Sequence, residues 1–324
     1  MTPFRSALVT GATGFIGSVL VAHLLAHKVD TACLLRASAK SGNARPLPKE
    51  VRTIEIESFS TSELNRKLAG FSAEAVFNLA SYGVQQRDRD PGLLIEGNVG
   101  VLASLLAVTA GWPLRRFVHT GSCSEYGSPE RENEPISESQ PLRPTSLYGA
   151  AKAGAGVFGT ALAAHLGIPF VTLRLFGVYG PCEASDRLIP YLIRKLRQDE
   201  SVDLTPGEQV RDLLYQDDVA AAFLAAVEPT SVQSGEVYNV CSGQPIRVRD
   251  VGEAVADALG APPSLLHWGE RAYRSDEPKW LVGNNRRFMA AASWHPQVTL
   301  EEGIRRMIDS LSRTGKTSEH QHAF

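Results

Sequence analysis

Short apolar runs rich in β-branched residues alternate along this chain with longer stretches in which apolar positions recur every three or four residues. The short runs fit strands buried on both faces and the longer ones fit helices, so their alternation predicts a parallel sheet covered on both sides. Strands are expected near 4–10, 31–35, 52–56, 75–80, 116–120, 169–175 and 236–240, with helices near 15–27, 62–69, 92–110, 146–166 and 217–227. The fold class is therefore α/β, a Rossmann-like doubly wound parallel sheet. Two stretches break the alternation: 178–210, which carries Pro181, Pro190 and Pro206, and everything after about 242. They predict a smaller C-terminal lobe over the carboxyl ends of the strands, where such sheets bind ligands. Residues 1–177, joined by about 211–241, would form the sheet domain. Residues 178–210 and 242–313 would form a substrate-binding lobe, and the polar end, 314–324, a flexible tail.

Composition narrows the class without naming a reaction. The 324 residues are 43% hydrophobic and 21% charged, with a formal net charge of −2 and both signs interspersed. That is ordinary for a globular enzyme and offers no basic face for nucleic acid. Met1-Thr-Pro-Phe-Arg leads straight into Ala7-Leu-Val-Thr-Gly, without the charged and apolar regions of a secretory leader. No uninterrupted apolar run reaches the eighteen or so residues that a membrane helix needs. Cys33, Cys123, Cys182 and Cys241 are far apart and form no Cys-x-x-Cys, so they read as reduced packing residues. The expectation is a cytoplasmic enzyme with no membrane partner.

The first strand runs into Thr10-Gly11-Ala-Thr13-Gly14-Phe15-Ile16-Gly17, and a helical pattern follows at once. Glycines placed there allow a tight turn, close approach of a pyrophosphate to the backbone, and phosphates on a helix N-terminus. Glycine in loops is common; the strand-turn-helix context is what makes this a dinucleotide site. An acid about twenty residues on would bind the 2′-hydroxyl of NAD, and Asp30 has that spacing. It precedes the second strand, however, and five residues at about 3.3 Å each put it roughly 16 Å from the ribose end. Arg36, followed by Ser38 and Lys40, stands at the proper end. A guanidinium there suits a 2′-phosphate by charge and by its planar fork, so the expected cofactor is NADP(H), with NAD(H) the alternative nicotinamide.

Tyr148 and Lys152 lie four apart in a predicted helix, one turn from each other on one face. A phenol titrates near 10 and carries protons poorly at neutral pH unless a neighbouring cation favours phenolate. Many solvated helices show this spacing, so context must decide. Arg116-Phe-Val-His-Thr-Gly-Ser122 supplies it: an apolar strand ends in a hydroxyl that faces the ligand crevice.

With these residues the chain resembles the extended short-chain dehydrogenase/reductase family, in its nucleotide-sugar epimerase, dehydratase and reductase branch, over nearly its whole length. Supporting pieces are the glycine loop, Asn78-Leu79-Ala80, Asn98-Val, Ser122 four residues before Tyr126-Gly127, Tyr148-x-x-x-Lys152, Arg174-Leu-Phe-Gly-Val-Tyr-Gly-Pro181, Arg211-Asp-Leu-Leu-Tyr-Gln-Asp-Asp218 and Trp294-x-Pro296. The resemblance implies that Tyr148 is the acid/base on the sugar oxygen, that Lys152 lowers its pKa and holds the nicotinamide ribose, and that Ser122 aligns the same oxygen. It implies a cofactor-binding set of Gly11, Thr13, Gly14, Phe15, Ile16, Gly17, Arg36, Ser38, Leu79, Ala80, Ser81 and Asn98, with Tyr148 and Lys152. For a nucleotide-diphosphate sugar it points to Arg211 and Arg274, with Arg187, Tyr82, Ser124 and Tyr179 as further pocket candidates; core or rim packing would explain the tyrosines equally well. It also implies a homodimer built on the helix that carries Gly149, Gly154, Gly156 and Gly159, although tight packing against the chain's own sheet would use those glycines too.

Three reactions share this Ser-Tyr-Lys machinery: 4-epimerisation, 4,6-dehydration and reduction of a 4-keto sugar. Dehydratases of the family carry an acid and a base immediately after the Ser/Thr position, where this chain has Cys123 and Ser124; Glu125 comes one position late and would point elsewhere. Epimerases keep NAD bound, whereas reductases exchange a cellular reductant, so Arg36 favours an NADPH-dependent ketoreductase acting on a nucleotide-linked 4-keto-6-deoxyhexose in deoxysugar biosynthesis. The alternative is a nucleotide-sugar 4-epimerase. A cofactor sensor that performs no chemistry would be expected to lack an intact Tyr-x-x-x-Lys.

Overall fold

Seven parallel strands build the main sheet, and most of its central positions are apolar on both faces, as a sheet covered on both sides requires. The computed structural model describes residues 4–37, 45–85, 88–129, 131, 133–181, 183–228, 231–274 and 277–319. The strands are β1 (Ser6–Thr10), β2 (Asp30–Arg36), β3 (Arg52–Ile56), β4 (Ala75–Asn78), β5 (Arg116–Ser122), β6 (Phe170–Leu175) and a last strand, Val237–Val240. Their order is Val237–Val240, β6, β5, β4, β1, β2, β3. The winding reverses between β1 and β4, so the crevice for a ligand opens beyond Thr10 and Asn78.

Helices cover both faces. They are α1 (Phe15–Ala26), α2 (Thr61–Lys67), α3 (Pro91–Ile95), α4 (Val101–Thr109), α5 (Leu147–Leu166), α6 (Leu188–Leu196), α7 (Gln216–Ala225), α8 (Val248–Leu259), α9 (Arg286–Ala292) and α10 (Leu300–Glu319). Leu20 and Leu24 of α1 join Phe223 of α7 on one face, where Phe223 meets Phe77 edge-on at 6.2 Å. Leu102, Leu105 and Leu106 of α4 and Ala155 and Ala163 of α5 fill the other. Every expected strand and helix is present. The predicted helix at 92–110 is broken by a π-helical turn, Glu96–Gly100, which carries Asn98. Pro91–Thr109 is long and apolar enough, by length and composition alone, to cross a membrane, yet α4 turns Leu102, Leu105 and Leu106 into the core.

A separate apolar cluster, with Leu192, Ile193, Val251, Val255, Ile304 and Met307 at its centre, joins α6, α8 and α10. Around it stand three small sheets: Gly177–Tyr179 with Leu213–Tyr215, Val202–Leu204 with Leu266–Trp268, and Ile246–Arg247 with Val210–Arg211 and Trp280–Leu281. Asp218 of α7 ties this part to the main sheet: its carboxylate accepts the Gln297 and Val298 N–H groups at 3.1 and 3.0 Å, and its carbonyl accepts the Trp294 indole at 3.0 Å. At the end of the chain α10 continues to Glu319, into the segment expected to be a tail. Ile308 and Leu311 of α10 pack against the same apolar cluster.

Candidate active site

The glycine loop is shaped by what glycine lacks. Gly11 has φ +69°, and a Cβ on it would lie 2.7 Å from the Leu79 carbonyl carbon. A Cβ on Gly17 would lie 2.1 Å from the Gly11 oxygen. Gly14 caps α1 without a side-chain bond and there is no acidic residue in the first turn, so the helix presents free N–H groups and a positive end. A pyrophosphate fits such a cradle. Leu79 and Ala80 close over the loop through Leu79 N–H to the Thr10 carbonyl (3.3 Å) and Ala80 N–H to Thr10 Oγ1 (3.1 Å). Phe15 and Ile16 are half-buried at the start of the helix, and Thr13 gives its carbonyl to the Arg45 N–H at 3.1 Å.

Arg36 is exposed at the carboxyl end of β2, and Asp30 stands at the strand's other end, as the spacing argument requires. Ser38 lies outside the described residues. Arg45, which the sequence reading passed over, reaches back over α1: Nη1 donates to Ser18 Oγ at 3.0 Å and Nη2 to the Pro181 carbonyl. The signal for it is faint, an arginine before Pro46 and Pro48 in a stretch without periodicity.

Ser81 and Asn98 form one unit. Ser81 Oγ donates to Asn98 Oδ1 at 2.8 Å, while Asn98 Nδ2 donates to the Tyr82 and Leu94 carbonyls at 3.0 and 2.8 Å. The π turn aims Asn98 inward and so fixes the loop after β4; such turns often mark functional positions. Tyr82 packs beside Gly97, where a Cβ would lie 2.7 Å from the Tyr82 Cβ.

Ser122, Tyr148 and Lys152 come together at the end of β5. α5 starts at an N-cap, Ser146, whose hydroxyl accepts the Gly149 N–H at 3.0 Å, and this cap sets Tyr148 in the first turn. Gly149 is needed there, because a Cβ would lie 2.3 Å from the Ser124 carbonyl oxygen. The Tyr148 hydroxyl interacts with the hydroxyls of Ser81 and Ser122, yet burial outweighs both and pushes its pKa up to about 12. Lys152 is 1% exposed, and burial brings its ammonium down to about 8 against the opposing pull of Glu125. Ser81 and Ser122 both favour the tyrosinate, and Glu125 favours the Lys152 ammonium.

The residues proposed for a sugar nucleotide divide. Arg211 and Arg274 converge on one carboxylate, Glu277: Arg211 Nη2 lies 2.7 Å from Oε1 and Arg274 Nε 3.5 Å from Oε2. Glu277 was not foreseen: its pair with Arg274 is local, three residues apart, but its pair with Arg211 joins distant segments and leaves no spacing to read. Arg187 is exposed and reaches the Val84 carbonyl at 3.4 Å. Ser124 lies in the turn after Ser122, with its N–H donated to Ser122 Oγ at 3.2 Å. Tyr179 does not join the site. It is 2% exposed in the second core, stacked edge-on with Tyr215 at 5.5 Å, and its hydroxyl donates to the Thr299 carbonyl at 3.2 Å. Close by, Glu183 is raised to about 8 by burial, against the pull of Arg187.

The glycines of α5 serve the chain itself at two positions: a Cβ on Gly159 would lie 2.5 Å from Leu102 Cδ2, and Gly149 faces Ser124. Gly154 faces open space.

The chain is similar to known proteins over nearly its whole length. Residues 7–241 match the model of the NAD dependent epimerase/dehydratase family. A UDP-glucose 4-epimerase of Mycolicibacterium smegmatis is 30% identical over 329 residues, 93% of this chain and 97% of that protein. A dTDP-glucose 4,6-dehydratase of Shigella flexneri is 28% identical, covering 93% and 91%. The structure of a UDP-glucose 4-epimerase from Thermotoga maritima superposes with a TM-score of 0.86 at 23% identity, over 96% of this chain and 99% of that one.

Proposed function

We propose that this chain, which belongs to the NAD dependent epimerase/dehydratase family, uses NADPH to reduce the C4 keto group of a nucleotide-linked 4-keto-6-deoxyhexose. The observation that carries the reading is Arg36, exposed at the ribose end of β2 with Asp30 at the opposite end. A guanidinium there recognises a 2′-phosphate and so a reductant that is exchanged every cycle. Tyr148 supports the same direction. A phenol held near 12 stays protonated at neutral pH, which suits donating a proton to a new alkoxide.

A nicotinamide dinucleotide held by the glycine loop and Arg36 would supply the hydride for sugar C4. Tyr148 gives its proton to the C4 oxygen, Ser122 holds that oxygen in line, and Lys152 binds the ribose beside it. Arg211 and Arg274 exchange Glu277 for the diphosphate, a swap of one anion for another. Exposed Leu93, Ile95, Val157 and Phe158 on α3 and α5 offer an apolar face for a homodimer.

Stoichiometric NADPH oxidation on addition of a nucleotide-linked 4-keto-6-deoxyhexose tests the reading. Isomerisation without net cofactor turnover would instead establish the second reading, a nucleotide-sugar 4-epimerase, which the name of the 30% identical relative favours. Dehydration is the less favoured route, because Cys123 and Ser124 follow Ser122 and the Cys123 thiol is pushed up to about 12 by burial.

A further inference from the structure

Next to Ser122, Tyr148 and Lys152 stands a carboxylate with no task in the reaction just described. Glu125 ends the short turn after β5 and is 0% exposed. Its Oε1 accepts the Ser122 backbone N–H at 2.8 Å, and its Oε2 accepts from Arg174 Nε at 2.7 Å. Arg174 in turn donates to the Tyr126 hydroxyl at 2.9 Å, and that hydroxyl donates to Asn239 Oδ1 at 2.7 Å. Gly121 makes room for the carboxylate, since a Cβ there would lie 2.7 Å from Oε1, and Gly156 lies within contact range of Oε2, where a Cβ would stand at 3.8 Å. Gly156 is one helical turn beyond Lys152, so the carboxylate rests on the stretch of α5 that carries the lysine.

A buried ion pair is a poor way to gain stability, since two apolar side chains of similar volume often do as well or better. The position of this pair suggests another reason for it. Lys152 is fully enclosed and has no ion-pair partner within 4 Å among the described residues. Glu125 is the group whose charge favours its ammonium. On another side stands His119, kept neutral by burial and by the Lys152 charge, with a buried Nε2 that has no partner. Glu125 itself faces Arg174, Tyr126, Cys123, Tyr148 and Lys152, and Glu138 acts on Tyr126 from beyond.

We propose that Glu125 is a positioning residue of the site: one carboxylate oxygen fixes the backbone of Ser122, and the charge it carries is the counter-charge of the Lys152 ammonium. Its consequence for turnover rests on the catalytic reading of Ser122, Tyr148 and Lys152, whereas the charge coupling stands without it.

Labelling the full-length protein with lysine carrying ¹³C at Cε, and identifying the Lys152 signal by its loss in Lys152→Arg, gives the titration of that one lysine. In Glu125→Gln, which keeps an acceptor for the Ser122 N–H, the midpoint is expected about one pH unit or more below wild type, the low end of what an opposite neighbouring charge contributes. The double variant Glu125→Gln with Arg174→Met strands no guanidinium and is expected to show the same displacement. An unchanged midpoint in a folded variant overturns the proposal, as does failure of both variants to fold, which would make Glu125 a structural support only. The alkaline limb of kcat against pH should move down with the lysine midpoint. Tyr148→Phe, assayed in parallel, separates the two ideas: if it retains turnover, the catalytic reading fails while a displaced Lys152 midpoint still upholds the coupling.

Discussion

The glycine loop after β1 and the arginine pair of the second lobe both offer positive potential to a phosphate, and they do it by opposite means. The loop uses backbone: free N–H groups at the start of α1, packed so tightly that Gly17 has no room for a methyl group. The arginines use side chains already satisfied by Glu277, with Nη1 of Arg211 also bonded to the Val210 and Pro278 carbonyls at 2.9 and 2.8 Å. The loop is pre-formed, whereas on the proposed reading the pair would release one anion to take another, and such an exchange would select for ligand charge and geometry.

Breaking the rigid member should have the largest effect. Gly17→Val places atoms inside the Gly11 carbonyl and should weaken cofactor binding by at least about 100-fold, read by titrating NADPH fluorescence. The exchangeable member should be more forgiving. Arg211→Met is expected to raise KM for the sugar nucleotide about 10- to 100-fold, while NADPH titrates as in wild type. The Lys152 charge sharpens the contrast, since it belongs to the rigid half yet can be switched by pH. Burial sets it near 8, so the fraction protonated, and the cofactor affinity that depends on it, should fall about tenfold per pH unit above that value. Stability should move the other way: an unfolded lysine titrates near 10.5, so between about 8 and 10.5 the unfolded chain holds the extra proton, and this residue makes the fold gain stability as pH rises. The smallest effect is expected at the rim, where Arg36→Asp should shift the ratio of NADPH to NADH affinity about tenfold toward NADH, measured by paired titrations.

The same contrast explains what could be read from the chain. β1 and β4 are legible because their residues are buried on both faces, so the run itself is the signal. Ser122, Tyr148 and Lys152 are legible because a strand end and a helical turn fix their separation. Glu277 beneath Arg211 and Arg45 over α1 are not, since each depends on a segment distant in sequence and no local period records the meeting. Tyr179 shows the limit from the other side. Its motif marks the right loop, but the chain turns there, and the ring is spent in the second core.

The order of strands also bears on how the chain is made. β6 ends at Leu175, and the neighbour that covers its outer edge begins only at Val237, after α6, α7 and the first small strands have been synthesised. On a ribosome, an apolar edge of the growing sheet therefore stands open while the intervening residues emerge. That interval, with its unpaired N–H and C=O groups, is when the chain is most exposed to pairing with a second nascent copy.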